Sequence, residues 1–145
     1  MKSFVITIEH LEVSRQVAER CKKSLSEFDV QNYYGCTPKD DPVALFQHHG
    51  MDASGFKQQP GREYAFEISN MAAFLSHWSL WNKCIEDNEE YQIFEHDAVA
   101  TLFVPQFIPY KHCVSIGKPS YGNFKIAPRM GSHKLFSKAY FPGAH

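Results

Sequence analysis

Apolar and polar positions fall along the chain in blocks of recognisable period. Ser3 to Ile8 reads Ser-Phe-Val-Ile-Thr-Ile, a short β-branched run that predicts a buried strand. After a turn over 9–13, Val17, Cys21, Leu25 and Phe28 recur at helical spacing. They predict a helix capped by Ser14 and reaching about Phe28. Val30 to Tyr34 reads as a second strand, and this strand–helix–strand opening is that of open α/β folds, which take ligands at strand carboxyl ends. Residues 35–61 are rich in Gly and Pro and read as a long loop holding one short helix from about Pro42 to His49. The clearest helix runs from Asn70 to about Asp87, with Ser69 or Asn70 as its cap. Its stripe of Met71, Phe74, Trp78, Trp81 and Ile85 is expected to face the core. Tyr91 to Phe94 predicts a third strand, with Glu95, His96 and Asp97 directly at its end, and 113–116, 121–126 and 135–141 are weaker strand candidates.

Composition narrows the class without naming a chemistry. The 145 residues suit one domain, and 43% hydrophobic with 21% charged is ordinary for a globular chain. Fifteen basic against 16 acidic residues, with no basic stripe, argue against nucleic acid as a partner. The charged runs at 39–41 and 86–90 read as solvated turns or helix ends. Cysteines at 21, 36, 84 and 113 match neither a zinc site nor a disulfide framework, as expected for thiols in a reducing compartment. No stretch is long enough to span a membrane, and the first residues enter a strand instead of a signal peptide. A cytoplasmic protein is the expectation.

The chemistry concentrates at Glu95-His96-Asp97. Two carboxylates ending a buried strand are costly unless a cation or hydrogen bonds compensate them. In an extended segment Glu95 and Asp97 share one face. Taken alone, Glu-x-Asp equally describes a helix cap or a surface turn. His77, off the apolar stripe, reads either as a brace for the acidic triplet or as a hydrogen-bonded, partly buried histidine. Ser76 and His77 are not a hydrolase pair, since neighbours on a helix point about 100° apart. The adjacent histidines 48 and 49, and His112, seldom converge on a ligand. Arg15 and Lys118 are phosphate candidates that equally suit the surface, and Trp78 and Trp81 are expected in the core.

In combination, these pieces resemble glycosyltransferase family 25, which includes lipopolysaccharide-type sugar transferases and collagen galactosyltransferases. The family pattern is a Gly-Cys-x-x-Ser-His-x-x-x-Trp helix followed by a strand ending in Glu-Asp-Asp. Ser76, His77 and Trp81 match the helix, and Glu95 and Asp97 match the outer acidic positions. Val5 to Ile8 sits where the family has an apolar strand ending in Asn-Leu, Arg15 falls on an arginine, and Cys113 to Gly117 is similar to a later strand-then-Gly. Ala72 and Ala73 replace Gly-Cys, Thr7 replaces Asn, and His96 replaces the middle Asp. The resemblance covers nearly all of the chain but only the first part of a usual member.

The resemblance implies an α/β fold, a three-layer Rossmann-like sheet of the GT-A nucleotide-diphospho-sugar transferase type. It implies one nucleotide-sugar-binding domain over 1–145, lacking the C-terminal part of usual members. The implied activity is inverting transfer of a hexose from a UDP-sugar donor to a glycan acceptor. Thr7, Ile8, Arg15, Ser76, His77, Glu95 and Asp97 would contact the donor, and Tyr33 and Tyr34 are placed to stack on uracil. Glu95 and Asp97, with His96 as a further ligand, would hold a divalent metal, Mn²⁺ in the first instance because imidazole suits Mg²⁺ poorly. No residue is assigned as the general base. Two other readings stand beside this one: a catalytically incomplete domain that binds a nucleotide sugar or a partner, and a metal-dependent hydrolase or nuclease.

Overall fold

Strands β1 (Lys2–Thr7), β2 (Val30–Tyr34) and β3 (Tyr91–Glu95) pair in parallel in the order β2-β1-β3. The computed structural model describes residues 1–53, 56 and 64–100, which lie within one compact unit, Met1–Leu102. The strand candidates at 113–116, 121–126 and 135–141, with His112 and Lys118, lie outside the described residues. Among the described residues, three helices connect or flank the strands: α1 (Glu12–Ser24), α2 (Pro42–His48) and α3 (Tyr64–Asp87), with a 3-10 turn at Pro38–Asp40.

β1 is the central strand, and Ser3 through Thr7 are buried without interruption, as a parallel strand covered on both faces requires. The pleat sends Phe4 and Ile6 to one side, where they pack on Leu80 of α3 with Tyr33, Tyr91 and Ile93 around them. Val5 and Thr7 therefore point to the other side, where α1 packs on β1 and buries Ala18 and Cys21. The crossover through α1 leads from β1 to one neighbour, and the crossover through α3 returns past β1 to the other. Right-handed crossovers running in opposite directions put α1 and α3 on opposite faces. The result is the expected open, three-layer, Rossmann-like arrangement.

Boundaries and faces differ from expectation in several places. α1 starts at Glu12 with Leu11 at its N-cap, which makes no side-chain capping bond. Ser14 is not the cap: it lies inside the first turn, where its Oγ accepts the Ile8 N–H at 2.9 Å. The helix stops at Ser24, so Phe28 falls in the connection to β2. α3 begins six residues before Asn70, which leaves Ser69 and Asn70 inside the helix instead of capping it. The stripe expected to be core is only partly so: Met71 is buried, but Trp81 is 43% and Ile85 75% exposed. The buried side of α3 is Met71, Ala72, Leu75, Ser76 and Leu80. α3 is apolar on more than one face, so spacing alone selects the wrong one. One end of its buried side packs on Phe46 of α2, and the other on β1.

At the amino-terminal edge of the sheet a charge network ties three elements together. Lys2 Nζ lies 2.8 Å from Asp87 Oδ2 and 3.2 Å from Glu89 Oε2, Lys83 Nζ lies 3.4 Å from Asp87, and the Tyr91 hydroxyl donates to Asp87. Hydrogen bonds from Lys2 and then Tyr91 hold the Asp87 carboxyl well below its usual range, and Asp87 and Glu89 raise Lys2. Desolvation, and then the bond to Asp87, push Tyr91 up to about 12.

Candidate functional site

Because the strands are parallel, Thr7, Tyr34 and Glu95 all end at one edge. The strand order reverses at β1, so the crevice between the ends of β1 and β3 is the switch point at which open α/β sheets take ligands. Ile6 pairs in register with Glu95 across that crevice. The amino end of α1, where first-turn amides lack intrahelical partners, rises from the loop after β1 at the same edge.

Glu95 is the last residue of β3 and turns toward α3, where His77 Nε2 lies 2.6 Å from its Oε1. An ionised carboxylate only accepts, so the imidazole N–H donates. Both side chains are partly exposed, His77 at 22% and Glu95 at 34%. The His77 ring also leans on Trp81, with centroids 6.1 Å apart. The pair joins positions that the sequence separates by eighteen residues.

Asp97 does not join them. The strand stops at Glu95, and the Ala98 N–H closes a turn on the Glu95 carbonyl at 3.0 Å. The extended geometry that gives i and i+2 a common face is absent, and this corrects the shared-face expectation. The chain crosses to the α1 side of the sheet, where the Ala100 N–H donates to Ser24 Oγ at 3.0 Å. Asp97 is exposed there, and its charge, after the larger effect of burial, raises the Cys21 thiol above its ordinary range. Among the described residues no group of three His, Cys, Asp or Glu side chains is arranged to hold a metal ion. With Glu95 engaged by His77 and Asp97 on the other face, Glu95, His96 and Asp97 do not by themselves converge as a metal cage.

The remaining donor-site candidates are near the edge but committed locally. Thr7 is wholly buried, and its hydroxyl donates to the Val5 carbonyl at 3.2 Å. Its own carbonyl accepts the Gly35 N–H at 3.1 Å. The Ile8 N–H is taken by Ser14. Arg15 is exposed and donates to the Glu9 carbonyl and the Glu12 carboxylate, which lowers Glu12 below its ordinary range. Ser76 is buried and donates to the Ala72 carbonyl at 2.9 Å. Tyr33 packs edge-on against Phe4, centroids 6.4 Å apart, while Tyr34 is exposed at the end of β2.

Sequence reasoning passed over Gly35. A Cβ there would lie 2.6 Å from Ser76 Oγ and 2.8 Å from Ile6 Cγ2, so only glycine lets the chain leave β2 this close to α3. The available signal was a glycine directly after a predicted strand. Asp41, with φ of 49°, closes the 3-10 turn and caps α2 by accepting the Ala44 N–H at 3.2 Å.

The family model described as glycosyltransferase family 25 (LPS biosynthesis protein) matches residues 1–107. No curated protein and no solved structure matches the chain. No helix among the described residues is long and apolar enough to cross a membrane. The match spans every described element, including the His77 helix and the strand that ends in Glu95, so the chain belongs to glycosyltransferase family 25.

Proposed function

We propose that this chain handles the donor in transfer of a hexose from a UDP-sugar to a hydroxyl of a glycan. The observation that carries the reading is the Glu95–His77 pair at the carboxyl end of β3, beside the switch point. His77 fixes the rotamer of Glu95, and a carboxylate held there suits hydrogen bonds from the donor sugar's hydroxyls. The amino end of α1 supplies amides and positive dipole for the diphosphate. A diphosphate there competes with Glu12 for Arg15. Tyr34, exposed at the end of β2, is the aromatic surface for uracil.

A second reading, a domain that binds a nucleotide sugar without transferring it, is favoured by the divergence of Asp97 from Glu95. Thermal melts with UDP-glucose and UDP-galactose, each with and without Mn²⁺, followed by assay for transferred or released hexose, separate the two. Binding with turnover supports the transferase, and binding without turnover the binder. Glu95→Ala is expected to weaken donor affinity about tenfold, the loss of one hydrogen bond to a charged group. Unchanged affinity would remove Glu95 from the site.

A further inference from the structure

The side of α3 turned away from the sheet carries a groove that donor handling does not use. It has a volume of about 380 Å³ and is lined by His49, Trp78, Ser79, Asn82, Lys83 and Glu86. Its floor is the Trp78 indole, half-buried and braced by the His49 ring at 4.6 Å between centroids with a 52° tilt. Asn82 Nδ2 donates to the Trp78 carbonyl at 3.1 Å, which leaves its Oδ1 as the acceptor for a ligand. The polar positions stand at i+1, i+4, i+5 and i+8 from Trp78, so they rim one flank of a single helix.

The chemistry selects among occupants. A hydroxyl, an amide, an ammonium and a carboxylate around an aromatic floor match a molecule with apolar C–H faces and hydroxyls that both donate and accept. Lys83 and Glu86 cancel in charge, and Lys83 already shares Asp87 at 3.4 Å, so a phosphate or another polyanion gains little. The size is that of one or two sugar rings. Trp78 follows His77 in α3 but points about 100° away from it, and the groove runs along the helix toward Lys83, which pairs with Asp87.

We propose that this groove binds one or two residues of a neutral oligosaccharide. The test needs no donor. Lactose and maltotriose are titrated into the full chain while the Trp78 indole N–H is followed by NMR, against Asn82→Ala/Glu86→Ala and Trp78→Phe, with melting temperature as the fold control. The expected result is a saturable shift of the Trp78 signal, with affinity reduced about fivefold or more in the double variant. No shift, or equal affinity in a folded double variant, overturns the groove. Sugar binding at Trp78 in a chain that binds no UDP-sugar supports the groove and removes the donor reading.

Discussion

His77 and Glu95 concentrate the local chemistry into one hydrogen bond of 2.6 Å. Replacing His77 with Ala removes the imidazole donor from a half-buried carboxylate. That is expected to cost about 1–3 kcal/mol of stability in urea unfolding and to weaken donor binding in parallel. His77→Gln retains an N–H donor and is expected to recover most of both losses. An alanine variant that binds UDP-sugar as the parent does would make the brace purely structural. No periodicity links these two residues, because one is a helix position and the other a strand end eighteen residues on. Sequence reasoning misplaced Asp97, because a two-residue spacing implies a shared face only while the backbone stays extended, and the turn at Glu95–Ala98 ends that.

At the level of elements, the sharpest constraint is the approach of β2's exit to α3. Gly35→Ala would press a methyl group against Ser76 Oγ and Ile6 Cγ2, and a cost of about 1–3 kcal/mol is expected in denaturant unfolding. Adding Ser76→Ala should recover only part of it, because the Ile6 contact remains. Ile85→Lys, by contrast, is expected to change stability by no more than about 0.5 kcal/mol, since that side chain is 75% exposed. The strands and α2 were legible from apolar runs and Pro-bounded starts. The ends of α1 and the working face of α3 were not, because tertiary packing chose them: Ser14 serves Ile8 instead of capping, and Leu80 faces β1 where Trp81 does not.

Across the whole described unit, the two edges of the sheet divide the labour. The amino-terminal edge carries the Lys2–Asp87–Glu89–Tyr91 network, and the carboxyl edge carries Glu95 and His77. Asp87 is depressed from its ordinary 3.8, so the folded chain binds that proton less readily than the unfolded one. Its contribution is complete above about pH 4 and drains away as pH falls below that. Lys2 is raised from its ordinary 10.5, so its contribution is complete below that value and is lost as pH climbs through the raised one. Asp87→Asn is therefore expected to flatten the acid limb of a melting-temperature profile, and to leave UDP-sugar affinity at neutral pH as it was. An acid limb equally steep in the variant would assign the loss to other carboxylates. The continuity of α3 has a last consequence. One unbroken rod carries both the contacts to Phe46 and the His77 position, so the two are locked in phase. A single residue inserted between Leu75 and His77 would swing the imidazole about 100° around the axis. The chain should therefore tolerate many substitutions in this span, but no change in its length.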